Sequence, residues 1–326
     1  MPRVSVIMNC LNGEKFLKEA MDSTFAQDYA DWEIIFWDNA STDKSAEIAR
    51  SYGPKVKYFK SDKTTSLGEA RNRAISVSKG EFITFLDTDD YWLQGKLSSQ
   101  VSLMDAHPGT GFIHTNFYVF DVFKGNKKAA LTGTQPTGRI FRRMLKSYAI
   151  GILSVMVRKR VLDSCVELFD PNLTYASDYD LFLRIIHDTD TAYIDKLLAV
   201  YRMHSGMNTL KAFEKNQKEI GYVINKLAGI YPNFNSDYSG ELRILNGALE
   251  YSDIWAMLLR GDVSEVRRKT QLLRSINMRL TLLYISSFLP HGIWLAVWKL
   301  LSAIKGNKEA KQVILKYMQE QKKPAE

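Results

Sequence analysis

Cysteine is scarce in this chain: among 326 residues only Cys10 and Cys165 occur, and their spacing pairs with nothing. That excludes a disulfide framework and a thiolate metal site, and makes a reducing cytosol the expected compartment. Export is not expected either, because MPRVSVIMNC enters a strand pattern at once, without the apolar stretch and cleavage site of an export signal. No uninterrupted apolar run is long enough for a bilayer span, which wants roughly 20 residues. The candidate stretch, Met278 to Leu301, is split by Pro290, His291 and Gly292. Internal repeats and low-complexity tracts do not stand out.

What is present is an ordinary globular composition, 45% hydrophobic and 25% charged, which argues against long disorder. The length suits one large domain with an appended module. A formal charge of +8 and a pI near 9.2 point to an anionic partner: a nucleotide, a phospholipid surface or a nucleic acid. The basic residues of the C-terminal third carry no nucleic-acid recognition module, so nucleic acid is not the expected partner.

The first half alternates β-rich runs with helical patterns, the mark of βαβ units and an α/β fold with a mostly parallel sheet. Val4 to Met8, Glu33 to Trp37, Val56 to Phe59 and Glu81 to Leu86 read as strands. Lys15 to Phe25, Ser45 to Tyr52 and Gly68 to Ser78 read as helices between them. VSVIM, IIFW and FITFL are continuous apolar runs, as strands buried on both faces are. Aromatic-rich segments follow, and beyond Asn208 the pattern turns helical, with Phe213 to Leu227, Leu242 to Leu259 and the basic Val263 to Ser275. The expected division is 1–210 for the sheet domain and 211–326 for a helical extension.

In open sheets of this kind ligands bind beyond the carboxyl ends of the strands. Those positions hold Asn9 and Asn12, then Asp38 and Asn39, then Ser61 to Lys63, then Asp87 to Asp90. Each residue alone also suits a cap or turn. Asp87, Asp89 and Asp90 together repel, and a divalent cation that prefers oxygen, Mg²⁺ or Mn²⁺, relieves the cost. Asp38 is suited to accept from a base N–H or a ribose hydroxyl, with an N-cap as the other reading. Arg71, opening the helix after Gly68, offers a planar fork for phosphate or a pyrimidine edge, with a solvated first helical turn as the other reading. Asp178 and Asp180 lie two apart at a helix start and so face different ways: Asp178, nearer the start, suits a general base and Asp180 structure, with N-terminal helix charge as the other reading. His204, read by itself in YRMH, is a packed or hydrogen-bonded residue.

In order, these segments resemble the family 2 glycosyltransferases, inverting enzymes of the GT-A fold, over Val4 to Thr209. VSVIMNCLNGEKFLKEAMDS is similar to the family's opening strand and loop, and EIIFWDNASTDKS to its second strand and acidic turn. SLGEARNRAISVSKGEFITFLDTDDYW resembles its glycine-arginine helix and D-x-D block, SDYDLFLRI its late acidic helix, and YRMH its closing histidine. Asn9, Cys10 and Leu11 stand where the family commonly has Pro, a small residue and Tyr, and Ser177 where it has Glu.

The resemblance implies a Rossmann-like mixed, mostly parallel sheet flanked by helices, with the helical extension at the C-terminus. It implies that Asp38 binds the base, with Asn12 also on the nucleotide side, and that Arg71 lies along the nucleotide or its phosphates. Asp87 would contact the ribose or a metal-bound water, Asp89 would hold Mn²⁺ or Mg²⁺, and His204 would reach the diphosphate or the metal. Asp178 would be the catalytic base. The donor is then a nucleotide sugar, expected to be a UDP-sugar, and the acceptor a glycan or lipid-linked saccharide.

The aromatic and basic residues of Met278 to Leu301, among them Trp294, Trp298, Arg279 and Lys299, suit a headgroup boundary. A peripheral enzyme on the inner face of the cell membrane would account for them, as would an ordinary helical hairpin packed on protein. A nucleotidyltransferase and a non-catalytic basic binding protein are the competing functional classes. NCLNGEKF is a poor match to the Gly-rich, basic opening loop the former would bring.

Overall fold

The apolar runs form the strands they were expected to form. In the computed structural model, which describes residues 1–205, 213–260 and 263–273, Val4–Cys10 (β1) is buried throughout and Trp32–Asp38 (β2) almost throughout. Between and after them come Glu14–Phe25 (α1), Ser45–Ser51 (α2), Val56–Lys60 (β3), Leu67–Val77 (α3) and Phe82–Phe85 (β4). The α1 helix buries Leu17, Ala20, Met21 and Thr24, spaced to make one inward stripe. Full burial contributes about 1.5–3 kcal/mol for a side chain such as Leu17 or Met21. The start of α3 is set by Ser66, whose hydroxyl accepts from the Glu69 N–H, a serine N-cap with an acid three residues on.

The chain continues through Tyr91–Trp92 (β5), Lys96–Ala106 (α4), Thr110–Asp121 (β6), Asn126–Ala129 (β7), Phe141–Lys146 (α5), Val155–Arg158 (β8), Lys159–Asp163 (α6), Ser177–Asp188 (α7) and Asp190–Met203 (β9). Then follow Phe213–Ile230 (α8), Phe234–Asp237 (α9), Ser239–Arg260 (α10) and Val263–Leu273 (α11).

One sheet holds the strands in the order β3-β2-β1-β4-β8-β6-β9-β5, with β7 added on β6. The β1 to β4 group is wholly parallel, β8 runs antiparallel to both β4 and β6, and β6 pairs β9 in parallel. The order reverses at β1, with β2 and β3 on one side and β4 on the other, and ligands of such sheets bind at the carboxyl ends of the strands beside that switch. Three strands run further than the sequence suggested: β1 to Cys10, β2 to Asp38 and β3 to Lys60. Asn9 pairs with Trp37, and Asp38 with both Cys10 and Lys60, because β2 has a parallel neighbour on each side to carry the ladder to the rim.

The structure divides into two compact units, Met1–Tyr238 and Ser239–Glu326. The helices α8 and α9 belong to the first unit, and α10 and α11 to the second. In the second unit, part of the basic face is neutralised internally: Arg268 pairs with Glu265, and Lys269 lies 3.8 Å from Glu250. Among the described residues no helix is long and apolar enough to cross a membrane. The stretch Met278 to Leu301 lies outside the described residues.

Candidate active site

The loop after β4 is a tight turn, with the Asp90 N–H donating to the Asp87 carbonyl at 3.1 Å. Its three carboxylates go to different places. Asp87 is half-buried and takes both its bonds from one amino group of Arg71, at 2.8 and 3.1 Å. Arg71 itself is 4% exposed and stacks its guanidinium over the Phe169 ring at 5.3 Å. Asp89 points to the end of β9, where its Oδ2 lies 3.0 Å from His204 Nε2. Burial, and then the neighbouring Asp87 charge, push the Asp89 carboxyl above the ordinary carboxylate range.

Asp90 turns inward to 1% exposure and accepts the Arg202 backbone N–H at 2.8 Å. It therefore ties the acidic turn to β9, a role that its place in the sequence left open.

Arg202 is the residue that sequence reasoning missed. Its Nε donates to the Asp89 carbonyl at 2.8 Å and its NH2 group to Glu19 on α1 at 2.6 Å. The guanidinium also sits 4.4 Å from the centre of the Phe16 ring, against which His204 rests at 4.9 Å. Arg202 and His204 are two apart on a strand and so share a face. That alternation was the available signal.

The β1 and β2 loops are stitched to each other. Asn12, exposed and at φ 55°, donates its N–H to Ser41 Oγ at 3.0 Å and accepts the Thr42 N–H at 2.8 Å. Asn39 does the same for the β3 loop, accepting from the Thr65 N–H and donating to the Thr65 carbonyl. Asp38 is fully buried, and its oxygens accept from the Ser41 N–H at 2.7 Å and the Tyr58 hydroxyl at 2.5 Å. Burial and this bond push the Tyr58 hydroxyl up to about 12.

Asp38 thus holds its own loop, while Asn9 Nδ2 and Trp37 Nε1, buried at the ends of β1 and β2, have no hydrogen-bond partner. Gly13 is where the opening loop meets the acidic turn. A Cβ there would lie 2.8 Å from Thr88 Oγ1 and 2.9 Å from Cys10 Sγ, closer than real side chains come.

Asp178 and Asp180 part as their spacing requires. Asp180 is fully buried and paired with Arg184 at 2.7 Å and Lys226 at 3.2 Å. Asp178 is half-buried and lies in the field of Arg71 and Asp87, the pair at the acidic turn. Burial raises its carboxyl above the ordinary range, and Arg71 offsets part of that. Among the described residues no group of three or more His, Cys, Asp and Glu forms a ready metal cage. Asp89 with His204 is a sparse donor set, which fits an ion such as Mg²⁺ or Mn²⁺ that takes one or two carboxylates and completes its shell with phosphates and water.

Residues 5–163 match the family Glycosyl transferase family 2, and the chain belongs to that family. Among its relatives is the Escherichia coli UDP-Glc:alpha-D-GlcNAc-diphosphoundecaprenol beta-1,3-glucosyltransferase WfgD, 27% identical over 235 residues, covering 70% of this chain and 89% of the relative. The putative colanic acid biosynthesis glycosyl transferase WcaA of Escherichia coli K12 is 30% identical over 190 residues, 57% of this chain and 66% of the relative.

The fold is that of the GT-A glycosyltransferases. The mannosyltransferase PcManGT from Pyrobaculum calidifontis, solved with GDP-Man and Mn²⁺, superposes with a TM-score of 0.63 at 16% identity, covering 97% of this chain and 84% of that one. TarS residues 1–349 from S. aureus, solved with UDP-GlcNAc, gives 0.57 at 18% identity, covering 98% and 92%.

Proposed function

We propose that the chain is an inverting glycosyltransferase that moves a sugar from a nucleoside-diphosphate sugar to a hydroxyl of a glycan or lipid-linked saccharide, in cell-surface polysaccharide or glycoconjugate synthesis. The observation that carries this is the meeting of Asp89 with His204 and of Arg71 with Asp87 at one sheet rim, with Asp178 in electrostatic reach of the second pair.

In this reading the nucleotide lies along the carboxyl ends of β1 and β2. Asn12 and Asp38 shape the base side, and the unpartnered Asn9 amide and Trp37 indole N–H lie within the same rim. Arg71 and Asp87 take the ribose and diphosphate side, where Arg71 exchanges part of its hold on Asp87 for the ligand. Asp89 and His204 would hold a divalent ion, Mn²⁺ or Mg²⁺, which supplies Lewis-acid stabilisation of the leaving diphosphate. Asp178 takes the proton of the acceptor hydroxyl as it attacks the anomeric carbon from the face opposite the leaving group. One displacement of that kind inverts the configuration. A partly desolvated carboxylate with a raised pKa is a stronger base than a solvated one.

WfgD, whose name carries UDP-Glc, and TarS, solved with UDP-GlcNAc, support a uridine donor, and the lipid diphosphate in the WfgD name supports a lipid-linked acceptor. The competing donor is a guanosine one, as in the PcManGT complex. Thermal stabilisation by UDP, GDP, ADP and CMP, each with and without Mn²⁺, separates them through mass action. Metal-dependent stabilisation by one base is expected, and a flat response to all would count against a nucleotide-sugar site.

A further inference from the structure

The helix that carries Asp178 begins without a cap of its own. α7 starts at Ser177, and the residue at its N-cap is Ala176, whose side chain accepts nothing. N–H groups at such a start need an acceptor. For Ala176 and the two residues leading into it the acceptor comes from α8: the Glu219 carboxylate accepts the Tyr175 N–H at 2.7 Å, the Ala176 N–H at 2.8 Å and the Thr174 N–H at 3.1 Å. Successive N–H groups gathered on one anion make a nest, and each bond is charge-assisted.

The same face of α8 is clamped further along. The Tyr222 hydroxyl donates to Asp170 Oδ2 at 3.2 Å, and the Lys226 ammonium reaches Asp170 at 2.9 Å and Asp180 at 3.2 Å. Residues 219, 222 and 226 fall on one side of a helix. The Asp170 segment in turn bears on α3, since a Cβ on Gly68 would lie 2.9 Å from the Asp170 carbonyl oxygen. One side of α8 therefore braces the start of α7 and the segment beneath Arg71.

We infer that Glu219 is a positioning residue for Asp178: by gathering the N–H groups of Thr174, Tyr175 and Ala176 it sets the first turn of α7, and hence where the Asp178 carboxylate stands. This rests on the reading of Asp178 as the general base.

The test uses the full chain and the variants Asp178→Asn, Glu219→Asp and Glu219→Gln, assayed with UDP-glucose, UDP-N-acetylglucosamine and GDP-mannose in Mn²⁺ below each variant's melting onset. Glu219→Asp keeps the charge and withdraws it by one methylene, and Glu219→Gln keeps a single acceptor oxygen. Both are expected to lower kcat about tenfold or more with the donor KM held within about twofold, the split a misplaced base produces.

The Asp178 carboxyl carbon, titrated by NMR, is expected to shift its midpoint in Glu219→Asp while remote Asp105 does not. That midpoint decides the matter if none of the three donors is turned over. Wild-type kcat in both Glu219 variants beside an inactive Asp178→Asn, or an unmoved Asp178 midpoint, overturns the inference and leaves the base assignment standing. Wild-type turnover in Asp178→Asn overturns the base assignment, and the inference with it.

Discussion

Asp89 and His204 stand 3.0 Å apart although 115 positions separate them in the chain. The contact joins the turn after β4 to the end of β9. It is reinforced by Arg202, whose N–H and Nε hold Asp90 and the Asp89 carbonyl. A partner for the acidic turn is thus built into the last strand of the sheet.

If these two side chains hold the divalent ion, Asp89→Ala and His204→Ala should each lower turnover by about 10² or more, the usual cost of losing charge stabilisation at a leaving group. Mn²⁺ should then no longer add to the thermal stabilisation given by the preferred nucleoside diphosphate. Calorimetric melting with nucleotide, with and without metal, reads this directly, and an undiminished metal effect in both variants would sink the assignment.

Asp178 must be ionised to accept a proton, and its folded carboxyl is raised above the ordinary value by burial. Only the fraction above that raised value is active, so kcat/KM should fall as pH is lowered through a midpoint higher than that of a free aspartate. Asp178→Asn should abolish this limb and cost about 10²–10⁴ in kcat, the range for a positioned base. A pH profile unchanged in shape between wild type and variant would contradict the role.

His114 offers a pH effect on stability rather than on rate. It is fully buried on β6 with neither ring nitrogen partnered, and burial depresses its pKa from 6.5 to about 4. The unfolded chain therefore takes up the proton first as pH falls. The neutral ring's contribution is fully present above pH 6.5 and is lost as pH falls toward 4. The loss is on the order of 3 kcal/mol. Urea midpoints between those pH values should fall in the wild type and fall less in His114→Leu.

Gly13 is predicted to tolerate no side chain. The Cβ of Gly13→Ala would press on Thr88 Oγ1 and Cys10 Sγ, moving the acidic turn against the opening loop. Turnover should drop about tenfold or more for a displacement of under an ångström, while melting changes by only a few degrees. A wild-type kcat would show that the turn yields without cost.

The strands, the helices between them and the family were legible along the chain because they depend on local order. Continuous apolar runs such as VSVIM have to be covered on both faces, and polar residues at their ends have to face the rim. That Asp178 and Asp180 face different ways followed from helix geometry, and only Asp180 is fully buried. Asp38 was harder, since nothing local says that Tyr58 on the next strand will close on it and bury it. Arg202 was passed over for the same reason: its partners Glu19, Asp89 and Asp90 lie far from it in sequence.

By itself, then, the sequence determined the α/β class, the polar residues at the strand ends and the set of carboxylates available there. Only the tertiary structure decided which side chains meet: Asp89 with His204, Asp87 with Arg71, and Glu219 with the start of α7. The reason is physical. Strand and helix periodicities act over a few residues, whereas each of these contacts depends on the order of strands in the sheet and on how a distant helix docks, which the chain's spacing does not encode.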